Sequence, residues 1–213
     1  MKYKNKTIKI TCDGGAATGK STGAQLIAKK YKLAFLSSGA LYRYASYLIL
    51  KYKPKKQISF LKKKFKNLNY RKLKTINLHS PRISEHSATI AKILSVRNIL
   101  KKYQKNFVKI NKGCVLEGRD ASTKIIPDSD VKFFFICNLD IAAKRRYLEL
   151  KKYNSKIKLK EVKKALKLRN ILDTKRKHSP LKKHRNAIVV NSGKGNKQEM
   201  VAKMSKYVEE VLK

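Results

Sequence analysis

The stretch TCDGGAATGKST, Thr11–Thr22, decides the fold. Gly14, Gly15 and Gly19 fall within six residues of one another. Glycine loses more backbone freedom on ordering than any other residue, so bare backbone here must serve a purpose other than starting a helix. Upstream, TIKITCDG alternates and then turns apolar, as a strand entering a buried sheet does. Downstream, KSTGAQLIAKKYK has helical spacing. Gly14, Gly19, Lys20 and Ser21 fit G-x-x-x-x-G-K-[ST], in the strand–loop–helix setting that gives the pattern meaning. Gly14, Gly15, Ala16, Ala17, Thr18, Gly19, Lys20, Ser21 and Thr22 are therefore expected to cradle phosphates with inward-pointing N–H groups. The helix adds its positive N-terminal end. Lys20 is a point charge for the β- and γ-phosphates, and Ser21 offers a hydroxyl to Mg²⁺.

Along the rest of the chain, strands and helices alternate. Besides the first strand, LAFLSSG, KGCVLEG, DVKFFFICN and NAIVVNS read as strands. ALYRYASYLILKY reads as a helix ended by Pro54. Residues 84–110 read as two helices with a break near Ser95–Val96. DIAAKRRYLELKKY reads as a helix capped by Asp140. The helix from Leu159 is expected to run on to Pro180, and a last amphipathic helix closes the chain. This order predicts an α/β fold, a parallel sheet wound by helices on both faces. We expect a single domain over 1–213, with a lysine-rich, weakly periodic insert at 52–80 and a lid region at about 142–178.

Composition narrows the function classes. The 213 residues are 42% apolar, enough for a core, and no apolar run approaches the ~18 residues of a membrane span. The N-terminus has no apolar leader core, so a cytoplasmic protein without a membrane is expected. Cys12, Cys114 and Cys137 lie in apolar strand-like runs and read as reduced thiols. The four histidines have no metal-ligand spacing. Lys and Arg number 54 against 13 Asp and Glu, a formal net charge of +41. The lysines are spread evenly and Asn and Ile are common, which reads as compositional drift rather than a dedicated polyanion surface. Incidental, salt-sensitive nucleic-acid binding is still expected. Against this background arginine and acid clusters become informative, because a planar fork binds anions in ways a lysine does not.

Three such clusters stand out: SSGALYR (Ser37–Arg43), EGRDAST (Glu117–Thr123) and RNILDTKR (Arg169–Arg176). Arg169, Asp173 and Arg176 stand at i, i+4 and i+7, which puts them on one helix face. Segments following strand C-termini meet at one crevice in an open α/β sheet, so a second anion is expected opposite the first.

With these residues the chain resembles bacterial cytidylate kinases, the (d)CMP kinases among P-loop nucleoside monophosphate kinases. DGGAATGKST, SSGALYR, VLEGRDASTKIIPDSDVKFFF, AAKRRYLEL and RNILDTKRKHSPL carry the likeness, from about residue 7 onward and least at 52–80, where a family insert is shortened. The resemblance implies phosphoryl transfer from ATP, with Mg²⁺, to CMP or dCMP by a monomer. It implies that Lys20, Arg119, Arg145 and Arg146 act on the transferring group, the last two from a lid. Arg43 and Arg119 would hold the acceptor phosphate. Ser38, Arg97, Asp120 and Arg176 would serve the acceptor and its cytosine, and Arg169 and Asp173 the ribose. The chain differs from the family pattern at Gly15, Ser37, Ala88, Ala142 and Asn170. None of these removes Lys20 or an arginine just named. A P-loop kinase for another monophosphate, and a basic NTP-dependent nucleic-acid-binding protein, remain the alternatives.

Overall fold

The computed structural model describes residues 7–78, 80–153 and 155–213, so His79 lies outside it. The described chain divides into two compact units. One comprises the residues up to Phe35 together with Asn111–Lys213; the other is Leu36–Ile110.

The first unit is built on a sheet ordered β2-β3-β1-β4-β5. Its strands are β1 (Lys9–Gly14), β2 (Ala34–Ser37, whose last residues open the second unit), β3 (Cys114–Gly118), β4 (Val131–Ile136) and β5 (Ile188–Asn191). β1 pairs in parallel with both β3 and β4, and β4 with β5. A strand covered on both faces cannot keep an alternating pattern, and Ile10–Gly14 are all buried. Of the two polar residues in this run, Thr11 shares a buried hydrogen bond with Ser129 (3.0 Å). On one face Ile10, Cys12, Phe133 and Phe135 pack against Ala24 and Ile27 of α1 (Lys20–Lys30). Met204 and Val208 of the C-terminal helix (Lys197–Leu212) join the same cluster. A separate cluster joins Ala16 of the glycine loop to Ala142, Ala143, Val162 and Leu166, which lie on two consecutive helices, Leu139–Lys151 and Leu159–Lys175.

The second unit is helical: α2 (Ser38–Tyr52), α3 (Gln57–Lys66), α4 (Pro81–Ile90) and α5 (Leu94–Ile110), with a short 3-10 turn at Tyr70–Lys74. The lysine-rich insert contains a true helix, α3. Leu61 and Phe65, one turn apart, are buried, and the Phe65 ring meets Tyr44 and Tyr103 edge-on, each at 5.8 Å. Dense lysine hides this i, i+4 pair in the sequence. The break between α4 and α5 falls at 91–93 rather than at Ser95–Val96. Ile90 and Val96 are both buried, and residues six apart on one continuous helix point in different directions, so the turn lets both face inward. Arg97 Nη1 then donates to the Ala91 carbonyl (3.2 Å) across the break.

Back in the first unit, the helix Leu139–Lys151 is α6, Leu159–Lys175 is α7 and Lys197–Leu212 is α8. Asn138, not Asp140, caps α6, its side chain accepting from the Asp140 N–H (2.8 Å). α7 stops at Lys175, well before Pro180. Arg176 is extended (φ −64, ψ 140), and the chain doubles back so that the Leu181 N–H bonds the Asp173 carbonyl (2.8 Å).

Gly23 of α1 lies directly on β4. A Cβ there would stand 2.7 Å from Phe135 Cζ and 2.9 Å from its Cε1. Phe135 is 1% exposed and has no room to withdraw. Alanine gains about 1 kcal/mol of helix propensity over glycine. Overpacking a filled core costs about 1–3 kcal/mol. We expect the second to win: Gly23→Ala lowers the urea midpoint with an unchanged m-value.

Candidate active site

In the first unit the glycine loop turns between β1 and α1. Gly14 (φ 154) ends β1, and a Cβ on it would stand 2.5 Å from the Phe135 carbonyl oxygen, so no side chain fits. Gly19, the N-cap of α1, is left-handed (φ 75), the conformation that glycine takes at least cost. Ala17 is also left-handed (φ 57), a strained choice for a residue with a Cβ, of the kind that gathers at functional sites.

Lys20 opens α1, yet its side chain is buried. Its Nζ donates to the Gly15 carbonyl (3.0 Å) and lies 3.4 Å from Glu117 Oε1. Burial lowers its pKa to about 8, helped by the positive Arg119 and Arg169 and resisted by Glu117. Thr18 Oγ1 donates to the same Gly15 carbonyl (3.0 Å).

Asp13, at the end of β1, braces the neighbouring loop. Oδ1 accepts from the Ala121 N–H (2.9 Å), and Oδ2 accepts from the Ser122 N–H (2.7 Å) and hydroxyl (2.6 Å). Burial raises its carboxyl pKa, against the pull of those donors. The segment it braces begins immediately after Arg119 and Asp120.

Charged side chains form a chain beside the loop. Arg119 Nε pairs with Asp173 Oδ2 (2.9 Å), and Arg176 lies 3.4 Å from Asp173 Oδ1 and 3.9 Å from Asp120 Oδ1. Arg169 acts electrostatically on both Lys20 and Asp173. Burial alone would raise the Asp173 carboxyl; Arg119 above all, then Arg176 and Arg169, hold it below the ordinary range. Arg176 reaches this cluster from beyond the end of α7, not from the shared helical face that the spacing suggested.

The two arginines of α6 part company. Arg145 Nη1 donates to Ser192 Oγ (3.0 Å) and Nη2 to the Ser192 carbonyl (2.7 Å), while Ser192 Oγ donates to the Thr18 carbonyl (2.7 Å). Arg145 is thereby tied to the glycine loop through the end of β5. Arg146 pairs along its own helix with Glu149 (2.8 Å). Ala142, one turn before Arg145 and Arg146, belongs to the core cluster with Ala16.

Within the second unit, Ser38 accepts from buried Gln104 Nε2. Ser37 caps α2 through the Ala40 N–H (3.2 Å). Arg43 packs beside Gly39, where an added Cβ would stand 3.3 Å from its Nη1. The Arg97 guanidinium lies over the Tyr42 ring at 5.8 Å.

Sequence reasoning passed over Ser192 and Gln104 as partners, and saw Asn170 only as a difference. Asn170 Oδ1 in fact accepts from the Ala16 N–H of the glycine loop (3.1 Å). These bonds join side chains to segments distant in sequence, and the only local signal was Ser192's place at a strand end. Among the described residues no group of His, Cys, Asp or Glu forms a metal cage, and no helix is long and apolar enough to cross a membrane.

Comparison with known proteins agrees with this architecture. The sequence model of the family described as cytidylate kinase matches residues 10–210. A cytidylate kinase of Bartonella quintana is 36% identical over 192 residues, covering 88% of this chain and 87% of its own. One from Thermosipho melanesiensis is 33% identical over 215 residues, covering 96% and 98%. Among solved structures, a shikimate kinase from Bacteroides thetaiotaomicron aligns at TM-score 0.52 with 13% identity, over 95% of this chain and 98% of that one. An uncharacterised protein from Eubacterium ventriosum aligns at 0.56 with 14% identity, over 95% and 98%. The two structures share the fold. The family match extends across the glycine loop and all three arginine-bearing clusters, and with these relatives it shows that the chain belongs to the cytidylate kinase family.

Proposed function

We propose that this chain transfers the γ-phosphoryl group of ATP to CMP or dCMP, giving ADP and CDP or dCDP. The observation that carries the reading is the buried Lys20 in a glycine loop beside the guanidinium chain of Arg119 and Arg176, within a family match that spans 10–210. An acceptor phosphate oxygen attacks the γ-phosphorus, and the bond to the oxygen bridging the β- and γ-phosphates breaks. Such a transfer needs alignment and positive charge more than covalent help. Lys20, an ammonium with three N–H donors, keeps the Gly15 carbonyl and turns its remaining donors to phosphate oxygens. Arg145, anchored through Ser192 to the loop, meets the charge that spreads as the γ-group moves. Arg119 holds the acceptor phosphate, with Asp173 fixing the plane of its fork. Arg169 and Asp173 take the ribose, and Asp120 and Arg176 the cytosine. In the second unit, Ser38, Arg43 and Arg97 are the residues assigned to the acceptor nucleotide.

Mg²⁺ suits the donor set. Both Asp13 oxygens already accept hydrogen bonds and Glu117 faces Lys20, so a metal would be held mainly by phosphates and water, with the Ser21 hydroxyl as protein ligand. There it would neutralise charge on the β- and γ-oxygens.

The first test is a coupled ADP-release assay with a panel of monophosphates. Turnover with CMP and dCMP well above UMP, AMP and GMP is expected. Turnover with AMP or UMP but not CMP or dCMP would refute the acceptor assignment in favour of another monophosphate kinase. A second test uses pH. Lys20 binds phosphate as an ammonium, which it remains below its pKa of about 8 and loses above it. The profile of kcat/KM for ATP, which reports the free enzyme, should therefore fall as pH rises through about 8. In Lys20→Met that basic limb should be absent from the residual activity.

A further inference from the structure

We propose that Asn170 is a positioning residue that ties α7 to the peptide plane on which Lys20 rests. The inference rests on the reading that the glycine loop binds the phosphates of ATP. The peptide between Gly15 and Ala16 is held from both ends. Its carbonyl accepts from Lys20 Nζ (3.0 Å) and Thr18 Oγ1 (3.0 Å), and its N–H donates to Asn170 Oδ1 (3.1 Å). A peptide unit is planar, so fixing the direction of its N–H fixes the direction of its carbonyl. Asn170 thereby sets the acceptor that orients the lysine.

The same helix does a second job three residues on. Asp173 of α7 holds Arg119 Nε at 2.9 Å. Residues three apart lie side by side on a helix, so one rigid element spaces the loop peptide against the guanidinium. A shift of α7 would move Lys20's support and Arg119 together. The absence of a side chain at position 15 makes this contact feasible: a Cβ on Gly15 would stand 3.1 Å from Asn170 Oδ1 and 3.4 Å from Thr18 Cγ2. A neutral amide also supplies the acceptor without adding negative charge beside the polyphosphate.

The test compares Asn170→Leu, which keeps the branched skeleton of the side chain but has no acceptor, with Asn170→Asp, which keeps one. Each variant is first checked for a parental melting transition. ATP affinity is measured by calorimetry without acceptor, and then kcat and both KM values are determined with CMP. One neutral hydrogen bond corresponds to about a fivefold effect. Asn170→Leu should weaken ATP binding by about that factor and lower kcat, with KM for CMP unchanged, and Asn170→Asp should recover most of the kcat loss. Gly15→Ala, which crowds Asn170, should mimic Asn170→Leu and add little to it in the double variant. ATP binding by Asn170→Leu as tight as the parent's or tighter, equal losses of kcat in Leu and Asp variants, or an effect confined to KM for CMP would each overturn the proposal. Because the calorimetry needs no turnover, a failed CMP assay would refute the acceptor assignment and leave this result readable. No ATP binding by the parental chain would overturn both.

Discussion

A buried ammonium group is the constraint around which the first unit is arranged. A charge withdrawn from water must find partners or lose its proton. Lys20 finds a carboxylate and a carbonyl, Glu117 and Gly15, and is still pushed down to a pKa of about 8. Sheet register supplies the carboxylate. Cys12 of β1 stands opposite Glu117 of β3, so the acid reaches the end of the central strand from a segment a hundred residues away in sequence. The glycines supply the carbonyl, since only a backbone without side chains can fold close enough to the lysine it precedes.

The neighbouring charges follow from that arrangement. Asp13, next along β1, does not join the ion pair; it spends its lone pairs on the Ala121 and Ser122 donors and so fixes the segment behind Arg119 and Asp120. Arg119 in turn is oriented by Asp173, and Arg176 leans on Asp173 and Asp120. In a chain with only 13 acids against 54 lysines and arginines, Asp13, Glu117, Asp120 and Asp173 all stand in this one region. Scarcity makes their placement meaningful. Acids that hold guanidiniums in a fixed plane prepare them to grip two oxygens of one anion at once, which the evenly scattered lysines cannot do.

What the sequence revealed, and what it hid, divides by the range of the interaction. The glycine loop was legible because strand, turn and helix are contiguous, and their glycine and lysine spacing reflects one local conformation. Arg169 and Asp173 were legible as neighbours on one helical face. The positions of Asn170 on the Ala16 N–H and of Ser192 on the Thr18 carbonyl were not, since each joins residues more than 150 positions apart. Boundaries erred where capping decided them: Asn138 took the role expected of Asp140, and the Leu181 N–H ended α7 before Pro180 could. Helix α3 was missed because lysine at most exposed positions flattened the contrast that reveals an apolar face, although Leu61 and Phe65 carry it.

A kinase transfers phosphoryl from one nucleotide to another, and so differs from a hydrolase or a mere nucleotide binder. Phosphorus NMR of ATP, Mg²⁺ and CMP mixed with the protein reads this directly. Resonances of ADP and CDP should grow together, in equal amounts, as those of ATP and CMP decline. Growth of inorganic phosphate with CMP untouched, or an ATP spectrum that stays unchanged, would contradict the transfer.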